Sequence, residues 1–328
     1  MWLTAGDGVK LHAWLLKAPG AGGGGGGGAG ATATPPPARL PVVIFFQENA
    51  GNMAMRLPFL RALVRALGCA VLAPSYRGYG LSEGAPSEAG LRLDAQAALD
   101  HAFSRADLDP ARVAIFGRSL GGAVALAAAA ANRERGLAGV VVENTFLSIE
   151  AVAPALLPVL RPFLGPGKPL GRLLRSKWRN DVEAAALAGG GSGGGNGSPA
   201  TTTTTTTTLP LSPPPPVLLL SSLRDEMLPP AHMRQLWYAL GGGEEDGGSG
   251  GGDRVGGVPL RQDAPARPKG SGDGGVPAQA ATGLPPPPRV RWVAFEEGRH
   301  LDAYDACAAQ YWPALVEFAR QAGFAVGA

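Results

Sequence analysis

Short, continuously apolar runs alternate with longer helix-length stretches along most of this chain, and that rhythm predicts its elements. Residues 41–46, 70–74, 112–116, 139–142 and 217–221 are runs rich in Val, Ile, Leu and Phe, too short for helices. Their lack of polar alternation predicts strands buried on both faces. Helical segments are expected at 55–67, 87–105, 123–131, 233–240 and 304–321, and a last strand at 290–295. At the beginning, 9–16 follows an Asp7-Gly8 turn and is expected to form a hairpin with 1–4. Three strands followed by alternating helices and strands imply an α/β fold, a mostly parallel sheet covered on both faces.

Two kinds of segment interrupt the rhythm. Residues 20–38 (glycine, then Thr/Pro), 189–216 (glycine, a threonine run, prolines) and 241–288 are low-complexity inserts with few large apolar side chains. Such composition buries too little surface to offset its ordering entropy, so these stretches read as structureless loops. Without them roughly 230 residues remain, the size of one α/β domain, so residues 1–328 are read as a single domain. The other interruption, about 149–180, is helical and punctuated by proline. It reads as a cap: Leu156, Leu157, Val159, Leu160, Phe163 and Leu164 give it an apolar surface. Arg161, Lys168, Arg172, Arg175, Lys177 and Arg179 give it cations. Shaping of an acyl substrate is the favoured role. For the basic face, a solvated surface on a cap packed against the body is favoured over peripheral contact with an anionic membrane.

The candidate chemistry begins at Gly117-Arg118-Ser119-Leu120-Gly121, a G-x-S-x-G pentapeptide between a predicted strand and an alanine-rich helix. A strand turning at once into a helix strains the serine backbone, tolerates only small neighbours, and exposes the hydroxyl at the sheet's carboxyl edge. Ser119 is therefore the expected nucleophile. It needs a base, and the base needs an acid to fix its tautomer. Of the histidines beyond Ser119, His300 lies in a loop just past a strand end, and His232 falls at a helix start where surface or capping roles are common. His300 is the expected base. Asp225 leaves the carboxyl end of the 217–221 strand and is the expected acid, with Glu226 its neighbour and Glu143 a weaker alternative. The oxyanion donors are expected at the amide of Leu120 and, on the loop after 41–46, at Asn49, with Glu48 adjacent. Many esterases open that loop with His-Gly; this chain has Gln47-Glu48.

Several blocks carry a resemblance. Residues 45–52, Ser75-Tyr76-Arg77-Gly78-Tyr79-Gly80, 117–124, 143–149 and 225–230 with His232-Met233 resemble the plant form of a eukaryotic α/β-hydrolase family. That family comprises the bud-emergence and wavy-growth proteins and the α/β-hydrolase domain-containing protein 13 group. The resemblance implies the α/β-hydrolase fold and a Ser-Asp-His hydrolase of the serine-aminopeptidase-like kind, and falls on Ser119, Asp225 and His300. Relatives commonly carry a transmembrane helix before the hydrolase domain, whereas this sequence opens almost at its first strand. They usually read Asn-Asp or Met-Asp after the histidine, and Leu301-Asp302 keeps only the acid.

Composition adds limits. A net charge of +3 without a dense basic run gives no sign of nucleic-acid binding. Scattered histidines and two cysteines suggest neither a metal site nor a disulfide framework, and no cofactor is expected. Cys69 reads as a small core residue within a strand, Cys307 as part of the last helix. No stretch is long and apolar enough for a membrane span, so the expected location is cytoplasmic or membrane-associated. The 77–80 segment reads as a tight turn beside the site, and Asp94 and Asp100 as residues of a solvated helix face. The expected activity is cleavage of an ester, thioester or amide through an acyl-enzyme, with a lipid-modified protein compatible as substrate. A weakly active hydrolase-fold scaffold is the alternative, kept open by Gln47-Glu48.

Overall fold

In the computed structural model the described residues are 1–18, 39–189, 213–242, 289–324 and 326. The expected inserts at 20–38, 189–216 and 241–288 lie outside them, apart from a few edge residues. Eight strands form one sheet: β1 (Trp2–Thr4), β2 (Lys10–Leu16), β3 (Leu40–Phe46), β4 (Ala70–Pro74), β5 (Leu108–Arg118), β6 (Gly139–Glu143), β7 (Val217–Ser222) and β8 (Val290–Phe295). Their spatial order is β1-β2-β4-β3-β5-β6-β7-β8. The hairpin strands β1 and β2 are antiparallel, and β2 meets β4 antiparallel. All pairings from β4 through β3 to β8 are parallel.

Continuous apolarity in the central strands follows from two-sided burial. Val42, Ile44 and Phe46 of β3 face one core with Val113 and Ile115 of β5, while Val43 and Phe45 face another with Ala114 and Phe116. Helices α2 (Glu88–Ser104), α3 (Leu120–Ala131), α5 (Asn180–Ala188) and α6 (Ala231–Ala239) cover the first face. Helices α1 (Leu57–Leu67) and α8 (Ala308–Gln321) cover the second. The cap region begins with α4 (Ile149–Leu156) and continues in short 3-10 turns.

Sequence and structure part in a few places. β5 starts at Leu108, ahead of Pro110, because an irregularity opposite Leu40 and Val42 absorbs the residues a regular ladder could not hold. The first helix opens as a 3-10 turn, Met53–Arg56, with Asn52 as its cap, before Pro58 in the first turn of α1. The closing helix breaks at Cys307 into α7 (Ala303–Ala306) and α8. Cys69 is buried in the core, but one residue ahead of β4. Asp100 lies on an exposed face paired with Arg135, as expected, whereas Asp94 does not. Its fully buried carboxylate accepts from the Arg77 backbone N–H at 2.8 Å and Nε at 2.9 Å. The turn after β4 supplies cationic and amide donors against α2, and these make burial of that charge affordable in free energy.

Candidate active site

Ser119 joins β5 to α3 with φ 54° and ψ −119°, in the left-handed half of backbone space that L-residues avoid. Holding it there costs on the order of 1–3 kcal/mol and is sustained by the packing on either side. Its N–H donates to the Glu143 carbonyl of β6 at 2.9 Å, and its carbonyl accepts from Thr145 Oγ1 at 2.7 Å. The flanking glycines are required by proximity. A Cβ on Gly117 would overlap the Gly121 carbonyl, and one on Gly121 would overlap the Phe46 carbonyl of β3. The turn is thereby pressed between β3 and β6 with its hydroxyl at the carboxyl edge of the sheet.

Loops leaving β7 and β8 bring the other two expected residues to the same edge. His300 Nε2 lies 3.0 Å from Ser119 Oγ, and His300 Nδ1 lies 2.7 Å from Asp225 Oδ2. The side chains of Asp225 and His300 are only 2% and 3% exposed, so water competes little for these contacts. Asp225 Oδ1 accepts from the Met227 and Leu228 N–H groups at 2.9 and 2.8 Å. With two amides on one oxygen the carboxylate is an acceptor on the other, which puts the imidazole proton on Nδ1. Nε2 then faces the serine hydroxyl. Glu226, the neighbouring alternative, is exposed and takes no part.

The expected oxyanion donors lie at the start of α3 and on the loop after β3. Leu120 is the first residue of α3, so its N–H has no intrahelical acceptor. Asn49 lies on the loop after β3, where Tyr79 Oη donates to its carbonyl at 2.8 Å and to its Oδ1 at 2.9 Å, leaving the Asn49 N–H out of both bonds. Tyr79 sits in the turn 77–80, whose Gly78 and Gly80 have φ of 76° and 56°, in keeping with the expected tight turn. Tyr76, whose phenol burial holds well above its ordinary pKa, donates to the Gln47 carbonyl at 2.9 Å.

Beneath the serine lies a buried ionic cluster. Arg118 Nε donates to Glu143 Oε2 at 2.9 Å, its NH1 stands 3.6 Å from Glu48 Oε1, and its guanidinium covers Phe59 at 4.1 Å. Tyr311 Oη also donates to Glu143, and Arg56 Nε to Glu48. Glu143, the weaker candidate acid, is therefore committed to Arg118 and Tyr311. Glu48 is likewise committed, to the two arginines. These pairs tie the loop after β3 and the end of β6 to the serine turn.

Asn144 was missed as a functional position by reading the residues alone. It has φ 43° and is buried at the end of β6. Its Nδ2 donates to Ser222 Oγ and to the His300 carbonyl, both at 2.9 Å, and its Oδ1 accepts from the Ser222 N–H at 2.8 Å. One side chain thus joins the strand that delivers Asp225 to the loop that delivers His300. The available signal was an amide directly after an apolar strand. His232 departs from its expected surface or capping place: it is fully buried, and its Nδ1 accepts from the Leu147 N–H at 3.3 Å. Desolvation pulls its pKa from 6.5 to about 4, keeping it neutral.

The cap packs on the body through Val152 and Trp178 but leaves much of its apolar surface in solvent. Of its six named apolar residues only Leu164 is buried; Leu156, Leu157, Val159, Leu160 and Phe163 are exposed. Among the described residues, no group of three or more His, Cys, Asp or Glu is placed to hold a metal ion. No helix among them is long and apolar enough to cross a membrane.

A family model described as the alpha/beta hydrolase fold matches residues 41–164. The chain is 43% identical to the alpha/beta hydrolase domain-containing protein WAV2 of Arabidopsis thaliana over 191 residues, 57% of this chain and 56% of that protein. It is 43% identical to protein bem46 of Schizosaccharomyces pombe over 122 residues, 37% of this chain and 40% of the relative. The chain therefore spans about half the length of the curated relatives it matches, and the resemblance read from its motifs holds over those parts. An esterase of Pyrococcus furiosus, Pf2001, superposes with a TM-score of 0.58 at 12% identity, covering 98% of this chain and 91% of that one. At that identity the likeness concerns the fold. The fold of this chain is that of the α/β hydrolases.

Proposed function

We propose that this α/β hydrolase is a single-domain serine hydrolase that cleaves carboxylic esters or thioesters through an acyl-enzyme. The observation that carries the reading is the unbroken line from Asp225 through His300 to Ser119, with contacts of 2.7 and 3.0 Å, at a serine held in a strained turn. Ser119 Oγ attacks the substrate carbonyl carbon as its proton passes to His300 Nε2. Asp225 keeps the proton on Nδ1 and stabilises the imidazolium that forms. The amides of Leu120 and Asn49 are assigned to the alkoxide oxygen of the tetrahedral intermediate. Collapse breaks the bond to the leaving alcohol or thiol, which departs with the proton from His300. Water then repeats the sequence on the acyl-serine and releases the acid. No metal or cofactor is needed to balance these steps.

Acyl thioesters, including those on lipid-modified proteins, fall within this chemistry, and the cap is the element assigned to set acyl length. The test is turnover of a series of p-nitrophenyl esters and acyl thioesters. His300→Ala should abolish it. Asp225→Asn should lower kcat by about three to four orders of magnitude through loss of the correct tautomer. Full rates in either folded variant would reject the reading and favour a hydrolase-fold scaffold.

A further inference from the structure

We infer that the cap and the rim of the catalytic edge form a docking surface for an anionic lipid bilayer. Beyond the side chains it packs on the body, the cap presents large apolar side chains to solvent. Val159 is 90% exposed, Leu173 75% and Phe163 56%, with Leu156, Leu157 and Leu160 beside them. The segment folds back on itself, so these side chains belong to one compact feature. Leu170 N–H donates to the Phe163 carbonyl at 3.2 Å, and Lys168 Nζ to the Arg161 carbonyl at 2.7 Å.

Charge selects the partner. Residues 151–180 contain no Asp or Glu. Glu150, immediately before them, accepts from the Gly167 N–H of the cap at 3.2 Å. Arg161, Arg175 and Lys177 are exposed and have no ion-pair partner among the described residues, whereas Arg179 is paired with Asp181. An apolar surface bordered by unpaired cations matches a bilayer with anionic headgroups, where apolar side chains enter the acyl boundary and the cations meet phosphates and carboxylates. A second copy of the chain fits poorly, because face-to-face packing would bring like charges together without a counter-charge.

The placement extends the argument beyond the cap. Met55, Leu81, Met227 and Leu301 are also exposed, and they follow β3, β4, β7 and β8 respectively. The carboxyl ends of these strands form the edge that carries Ser119, Asp225 and His300. Docking on this face turns the mouth of the site toward the membrane, which favours substrates whose acyl chains already lie in it. That last consequence rests on the proposed hydrolase reading; the docking surface itself does not.

The experiment is co-sedimentation of the full chain with phosphatidylcholine vesicles, with and without phosphatidylserine, at low and high salt. Binding should require phosphatidylserine and weaken with salt. Combined Arg161→Gln, Arg175→Gln and Lys177→Gln should reduce the partition coefficient on the order of 100-fold, since each cation near the surface contributes roughly fivefold. Val159→Asp with Phe163→Asp should abolish binding while circular dichroism and thermal unfolding stay unchanged, because both side chains project into solvent. Ser119→Ala should bind as wild type, which separates this surface from the chemistry. Absence of sedimentation with either vesicle, or equal binding by the substituted proteins, would overturn the inference. So would velocity sedimentation showing a lipid-free dimer that the same substitutions dissolve.

Discussion

Removing the Asn144 side chain should weaken the protein and its chemistry together. Asn144→Ala deletes a donor to Ser222 Oγ, a donor to the His300 carbonyl and an acceptor for the Ser222 N–H, at 2.8–2.9 Å and buried from water. At about 1 kcal/mol net for each bond, the loss is about 3 kcal/mol, and the orphaned Ser222 N–H keeps it from being smaller. Alanine must also occupy φ 43°, at a further cost of about 1–2 kcal/mol. Glycine escapes that penalty but gives a more flexible unfolded chain, costing about 0.5–1 kcal/mol. Asn144→Gly should therefore be the more stable of the two by roughly 0.5–1 kcal/mol. Urea unfolding followed by tryptophan fluorescence measures this directly: the midpoint should fall for both variants with the slope unchanged. Ester turnover under conditions where both are folded should drop further than the folded fraction explains, since the His300 loop has lost its tie to β7. A destabilisation below about 1 kcal/mol, or alanine more stable than glycine, would refute the clamp.

Three further outcomes follow from the same geometry. Gly121→Ala should give insoluble or unfolded protein by circular dichroism, because the added methyl would have to displace the Phe46 backbone of β3; a folded Gly121→Ala with wild-type ester turnover would show the turn has slack. Burial pushes the Cys69 thiol up to about 12, so a maleimide should modify it only in denaturant; prompt modification of the folded protein at neutral pH would contradict its place in the core. His232 is held neutral with its pKa lowered to about 4 from 6.5, so the unfolded chain takes up a proton first as pH falls. Stability should then be level above pH 6.5 and decline by about 3 kcal/mol between there and pH 4, and His232→Gln should flatten that segment of the urea midpoint against pH.

Much of the fold was legible because the central strands are buried on both faces, and residues such as Val217 to Leu220 can read only as strand or buried helix. The pieces of the site could be found for a related reason: Ser119 and Asp225 lie just past such runs, His300 lies in the loop after the partly buried β8, and the parallel order carries all three strand ends to one edge. What escaped depends on distance in space. Asp94 looked like one more helix-surface carboxylate until Arg77, 17 residues earlier, arrived as its partner. His232 sits at a helix start like many solvated histidines, and only packing against Leu147 buries it. Asn144 stands next to its strand in sequence, but its partners are 78 and 156 residues away. The cap's exposure was equally hidden, since a leucine-rich stretch reads the same whether its apolar face meets the body or the solvent. Residues 20–38 and most of 189–216 and 241–288, expected to be structureless loops, lie outside the described residues.

The central claim is that Ser119 is an activated nucleophile. Incubation of the full chain with a fluorophosphonate probe, followed by peptide mass spectrometry, tests it most directly. The account predicts one covalent adduct, on the peptide carrying Gly117 to Gly121 and at Ser119, lost in Ser119→Ala and greatly slowed in His300→Ala. Well-folded wild-type protein that takes up no probe, or a label that persists in Ser119→Ala, would contradict it.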